Sequence, residues 1–174
     1  TLGAGRRVKG FFERIGERGA LARQGVPLLR ARAAVIQPLP QMEDAVANAI
    51  DEKAEVKDSA SPALRRVRKQ VSRMRDDILG SLSGILQDGS LQKVVQEPVI
   101  TMRDDRYVLP LRPNFRQSIR GVVHGQSGSR STLFVEPLEV LEQNNRLAEL
   151  RMEEREEVER ILRELSGKLA QEVE

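Results

Sequence analysis

Residues 61–87 read SPALRRVRKQVSRMRDDILGSLSGILQ, and the period of their apolar side chains decides the fold. Ser61 ahead of Pro62 has the form of an N-cap followed by the proline best tolerated at the first helical position. Leu64, Val67, Val71, Met74, Ile78, Leu82 and Ile85 then recur at spacings of 3, 4, 3, 4, 4 and 3, drawing one apolar seam along a helix with a single stutter. A helix of about 26 residues spans about 39 Å, which predicts a long lever-like arm. An amphipathic helix resting on an ordinary core would show the same stripe and differ mainly in length.

Downstream the period becomes that of strands. Residues 98–102 (PVITM) and 106–111 (RYVLPL) flank Asp104-Asp105, and residues 121–126 and 132–136 flank a Gly/Ser loop, so two hairpins and a small antiparallel sheet are expected. Pro110 has no N–H to give a ladder, which places its strand at an edge or on a bulge. Residues 138–174 then form one helix rich in Glu and Arg, with a seam at Val158, Leu162, Leu165, Leu169 and Val173. The sheet reverses the chain, so this helix should return antiparallel to the first.

Upstream, residues 1–25 read as Gly-interrupted helix with an apolar stripe at Val8, Phe11, Phe12 and Ile15. The connector QPLP at 37–40 precedes a short helix over 41–51 that puts Met42, Ala45, Val46, Ala49 and Ile50 on one face. Thr1 rather than Met opens the chain, as expected of a piece of something longer. The expected class is mainly α with a small antiparallel β-sheet (α+β), a long antiparallel helical arm capped by a clamp-like sheet. The expected division is partial core helices over 1–60, lever helix and connector over 61–97, clamp-like sheet over 98–137 and returning lever helix over 138–174.

Composition narrows the chemistry. Of 174 residues, 39% are hydrophobic, 32% charged and 3% aromatic, a profile of solvent-lapped helices. With no cysteine and one histidine, disulfides, thiolate zinc and a conventional catalytic zinc site are excluded, and a reducing cytoplasmic home is expected. No apolar run nears the roughly 20 residues that cross a bilayer, and no signal peptide is visible, so no membrane partner is expected. The net charge of +3 hides an uneven spread: Arg6, Arg7, Lys9, Arg14, Arg18, Arg23, Arg30 and Arg32 crowd the front, while 138–174 is dominated by glutamate. A basic front and acidic back suggest a polyanion on one side, and arginine-rich solvated helix faces are the equal alternative.

Catalytic motifs fail on inspection. His124, Ser127 and Ser129 sit in GQSGS, which misses the G-x-S-x-G elbow and lies between strands. The glycines and serines of that loop are expected to shape a turn. Ser166-Gly167-Lys168 ends like a phosphate-binding loop, but Arg163 stands where its glycine belongs and Leu169 replaces the metal-binding hydroxyl. Asp104-Asp105 is flanked by Arg103 and Arg106, which suits a turn better than a metal site. No catalytic residue, metal ligand or cofactor site is therefore expected.

Basic residues are the stronger lead. Arg65, Arg66, Arg68, Lys69 and Arg73, with Arg75, decorate the long helix, and Arg103, Arg106, Arg112, Arg116, Arg120 and Arg130 mark the sheet region. Such cations can neutralise phosphates without reading bases. Stacking on unpaired bases has only Tyr107, Phe115 and Phe134 to work with. A second reading stands beside this one, in which Asp76, Asp77 and the glutamates of the last helix pair with these arginines.

Arg106-Tyr107-Val108-Leu109-Pro110, then His124-Gly125-Gln126-Ser127, then Thr132-Leu133-Phe134-Val135-Glu136-Pro137 and Asn144-Asn145 closely resemble the middle of the MutS-II family, bacterial paralogues of the mismatch-repair protein MutS. Ala49-Ile50-Asp51, Asp58-Ser59-Ala60-Ser61-Pro62 and Leu64-Arg65-Arg66-Val67-Arg68 look like the same family's core-to-lever segment. The resemblance is good over 41–174 and thinner over 1–40. Departures are Gly125, where an acidic residue is expected, and Arg130, where a small one is.

The resemblance implies an internal fragment, with further core helices before Thr1 and an ATPase domain and Smr nuclease domain after Glu174. ATP and Mg would be needed only by that absent ATPase domain. Such proteins are dimers that bind branched DNA and restrain recombination, and in some bacteria act on collided ribosomes. The expected role is a core, lever and clamp segment contributing to dimerisation and to sequence-independent binding of branched or duplex DNA. The alternatives are a dimerisation lever without nucleic-acid contact, or a clamp that touches the ribosome.

Overall fold

The structure, a computed structural model, describes residues 7, 9–11, 39–89 and 93–173. The expected N-terminal stripe at Val8, Phe12 and Ile15 lies outside them. The chain divides into two compact units, one of Thr1–Ala60 with Arg160–Glu174 and one of Ser61–Glu159.

In the first unit, α1 (Pro40–Ala49) begins with proline in its first turn. It ends two residues before the expected limit because Ile50 turns extended, at φ −121° and ψ 138°, and bridges Val56 antiparallel. Between them Asp51 Oδ1 accepts from the amides of Lys53 and Glu55 at 2.8 and 2.9 Å. Its carboxylate thus organises a turn instead of a last helical residue. Lys57 closes the free carbonyl end of α1, its amide donating to Ala49 O at 2.8 Å and its Nζ to Ala47 O at 2.7 Å. A single 3-10 turn, Asp58–Ala60, follows.

In the second unit, α2 (Pro62–Gln87) starts as the sequence predicts. Ser61 is extended, at φ −151°, and its Oγ accepts from the Leu64 amide at 2.9 Å. Leu64, Ile78 and Leu82 of the seam are fully buried, with Val67 beside them, each burial stabilising by about 1.5–3 kcal/mol. The returning helix α3 (Leu138–Val173) carries 36 residues and runs antiparallel to α2. Ser61 Oγ donates to Glu157 at 2.6 Å, Arg68 Nε to Glu154 at 2.8 Å, and Met74 shares a cleft with Leu150, so positions rising along α2 meet positions falling along α3.

The seam expected on the second half of α3 is corrected at one position, Val158, Leu165 and Leu169 being partly buried. Leu162 is 40% exposed, whereas its neighbour Ile161 is buried and lines a cleft with Ala45, Ala49, Ala60 and Leu165. A line through positions 158, 162, 165 and 169 advances slightly more than 3.6 residues per turn and slides around the helix, so burial follows the small neighbours that Ile161 meets.

Between the helices lies a four-stranded antiparallel sheet of β1 (Thr101–Arg103), β2 (Arg106–Leu111), β3 (Gly121–Gln126) and β4 (Leu133–Pro137), in the order β1-β2-β4-β3. Asp104 and Asp105 both have positive φ, 49° and 62°, the geometry of the two-residue turn that matches strand twist. β1 begins three residues later than expected and β4 one later.

Pro110 is not at an edge: β2 lies between β1 and β4, and Pro110 sits opposite Phe134. Its nitrogen faces the other way, toward a single bridge in which Gln96 N donates to Pro110 O at 2.9 Å and Val95 pairs with Leu111. That pairing ends at Gln96, so the proline forgoes one bond only. Tyr107, Leu109, Leu111, Leu133 and Val135 turn one face of the sheet into a core with Ile78 and Leu82 of α2 and Val140 and Leu147 of α3.

Candidate nucleic-acid interface

Strand alternation and register bring three of the motif side chains together on the face opposite that core. Phe134 and Glu136 share a face of β4, and Glu136 pairs with Val122, so His124 two residues on lies beside it. Pro110 pairs with Phe134, which puts Val108 and Arg106 on that face as well. Glu136 has no exposed surface. Arg106 grips it through two bonds, Nε to Oε2 and Nη2 to Oε1, both 2.7 Å, and His124 Nε2 lies 2.6 Å from Oε2.

Asn144 of α3 completes the cluster. Its Nδ2 donates to Glu136 Oε1 at 2.8 Å and to Tyr107 O at 3.1 Å, while its Oδ1 accepts from Tyr107 N at 3.1 Å. Continuing the register of Leu109 with Val135 would set Tyr107 opposite Pro137, which has no N–H and where the chain enters α3. The Asn144 carboxamide therefore stands in for a strand residue, donor and acceptor both. Burial alone would raise the Glu136 pKa, but hydrogen bonds from Arg106, Asn144 and His124 and the Arg106 charge outweigh it and hold the carboxyl below its usual value.

These residues marked the family resemblance without showing what they do. Their work is architectural: His124 meets Glu136 and not the serines, and Arg106, expected among the phosphate contacts, has its guanidinium engaged by Glu136, Asn145 Oδ1 at 2.7 Å and Leu141 O at 3.3 Å. The signal that could have found the cluster is a lone glutamate inside the apolar run Leu133 to Pro137. The serines shape the hairpin tip, Ser127 Oγ accepting from Thr132 N at 3.1 Å and Ser129 Oγ lying 3.2 and 2.7 Å from the hydroxyls of Ser127 and Ser131.

The remaining expected cations fall into separate patches. Arg65, Arg66, Lys69 and Arg73 are exposed on one side of the first half of α2, while the sheet packs on Ile78 and Leu82 in its second half, about 20 Å further along at 1.5 Å per residue. Arg68 holds Glu154 at 2.8 Å and Arg75 meets Asp76 at 3.2 Å. Arg146 bonds Glu149 and Glu153, and Arg160 bonds Glu164, all within α3. Those carboxylates are thereby drawn to their own helix, and among the described residues no carboxylate pairs with Arg65, Arg66, Lys69 or Arg73.

The sheet supplies the other patch. Arg112, Arg116 and Arg120 are exposed on the β2–β3 connection, with no carboxylate partner among the described residues. That connection is pinned at both ends: Arg112 N donates to Val94 O and Leu138 N to Arg120 O, each at 3.0 Å, with Ile119 buried in the core. Arg103 Cζ lies 3.9 Å from the centre of the Phe134 ring, a cation over an aromatic face. Arg130 occupies the β3–β4 tip at φ 58° and Gly125 sits at φ 103°.

Among the described residues no three His, Asp or Glu side chains gather as a metal site, and no helix is long and apolar enough to cross a membrane. No family model matches the chain. It is 41% identical over 174 residues to an endonuclease MutS2 of Shouchella clausii, covering all of this chain and 22% of that protein. It is 40% identical over 171 residues to the endonuclease MutS2 of Alkaliphilus oremlandii, 98% of this chain and 21% of that one. The chain thus spans about a fifth of the length of these relatives, and the resemblance runs through residues 1–40 as well.

Proposed function

We propose that this chain is the core, lever and clamp segment of a MutS-II-like protein of the cytoplasm, gripping branched or duplex DNA through phosphates without reading bases. Arg112, Arg116 and Arg120 make the principal contacts, with Arg103 and Arg130 beside them on the sheet and Arg65, Arg66, Lys69 and Arg73 as a second patch. The supporting observation is that among the described residues these cations have no carboxylate partner while Arg68, Arg75, Arg106, Arg146 and Arg160 do. ATP hydrolysis and strand cleavage belong, on this reading, to the remainder of the longer protein. The working form is a homodimer, checked by sedimentation at rising concentration.

The grip is tested by titrating salt against DNA affinity. Each phosphate neutralised steepens the log–log slope by about 0.9, so replacing Arg112, Arg116 and Arg120 together by Gln should flatten it by up to about 2.7. Absence of binding at low salt, or an unchanged slope in the triple variant, would remove these residues from the contact surface. Stronger capture by ribosomal particles than by DNA, lost in the same variant, would reassign the clamp to the ribosome.

A further inference from the structure

Of the three aromatic side chains near the sheet, two are unavailable for stacking. Tyr107 is 9% exposed within the core and Phe134 is 8% exposed beneath Arg103. Phe115 is the exception, at 36% exposure. It ends the 3-10 turn Pro113–Phe115 on the connection that carries the three arginines without a carboxylate partner among the described residues, with Arg112 directly before the turn and Arg116 directly after it. The backbone there is tied down: Phe115 N donates to Arg112 O at 2.9 Å, Ser118 N to Phe115 O at 2.9 Å and Arg116 N to Pro113 O at 3.3 Å. The ring is therefore presented on a braced turn, and little loop order has to be acquired on binding.

An exposed aromatic on a short turn flanked in the chain by two exposed arginines, neither paired with a carboxylate among the described residues, has the composition of a stacking platform for unpaired nucleotides: the ring offers a π-face to a base and the cations meet the phosphates on either side. Continuous duplex keeps its bases stacked and out of reach, so such a ring adds little there. We propose that Phe115 stacks on an unpaired nucleobase whose flanking phosphates lie on Arg112 and Arg116, and so makes the clamp prefer strand junctions and gaps to continuous duplex. This rests on the phosphate grip proposed above and adds the group that selects among nucleic acids.

The test compares the chain's affinity for a continuous DNA duplex, the same duplex with a short single-stranded gap, and an RNA stem carrying the same unpaired nucleotides. Wild-type chain should favour the gapped over the continuous duplex by roughly tenfold, the scale of one base–aromatic stack. Phe115→Ala should abolish that preference while leaving continuous-duplex binding and thermal stability unchanged, and Phe115→Trp should restore it. A preference that survives Phe115→Ala, or a Phe115→Ala loss equal on both duplexes, overturns the stacking role while the phosphate grip stands. Failure to bind any of the three at low salt overturns both. Preference for the RNA stem over gapped DNA, lost in Phe115→Ala, identifies RNA as the source of the unpaired base and supports the stacking chemistry.

Discussion

Glu136 shows what strand register does that neighbouring sequence cannot. Arg106 stands 30 positions before it and His124 stands 12 before it, and each falls within reach only because β2 and β3 flank β4. Replacing Glu136 by Gln leaves Arg106, 20% exposed, without its counter-charge, and should cost about 3 kcal/mol in chemical unfolding. The sign of the pH effect follows from a carboxyl held below its usual value: its contribution is present above the unfolded pKa and fades as pH falls through the folded one. Wild type should therefore lose more stability than Glu136→Gln between neutral pH and about pH 3, and equal losses would deny the cluster that role. The two departures from the family pattern also become legible as backbone. Arg130 at φ 58° occupies a conformation that disfavours a side chain by about 1–2 kcal/mol, so Arg130→Gly should raise the melting temperature slightly. Gly125 at φ 103° has open space around a would-be Cβ, so Gly125→Ala should destabilise through the backbone alone.

At the level of elements, local chemistry was legible and neighbours were not. Ser61, Pro62 and the seven-residue seam located α2 because capping and period are local properties. Asp104-Asp105 located its hairpin for the same reason. Pro110 was misplaced because the sequence says only that a donor is missing, whereas the strand order decides which side that absence faces. The α3 seam moved at one position, from Leu162 to Ile161, because burial there depends on Ala45, Ala49 and Ala60, more than a hundred positions away. Two changes test the helix argument. Ser61→Ala removes the cap and the bond to Glu157 and should cost about 1 kcal/mol or more. Gly80→Ala, exposed within α2 with nothing near a new Cβ, should gain about 0.5–1 kcal/mol. Both are read from denaturation midpoints.

For the molecule as a whole, the apolar cluster formed by Ile78, Leu82, Leu109, Leu111, Val135, Val140 and Leu147 lies within the unit Ser61–Glu159. That span, expressed alone, should unfold cooperatively with mixed helix and strand signals in circular dichroism; a non-cooperative melt would mean that its core borrows support from the other unit. The mixture of long helices and small sheet could be foreseen from period alone, while the candidate interface could be foreseen only as a surplus of arginines. Which arginines remain open depended on where each carboxylate settles, a property of packing. The Asn144 carboxamide that completes the ladder at Tyr107 has one more consequence. One residue of helical advance corresponds to about 100°, enough to swing that amide out of reach and leave the Tyr107 peptide bare. Rotation of α3 is thereby indexed to the sheet like a key in a ward, and deuterium uptake at the Tyr107 amide becomes a gauge of whether the key has turned.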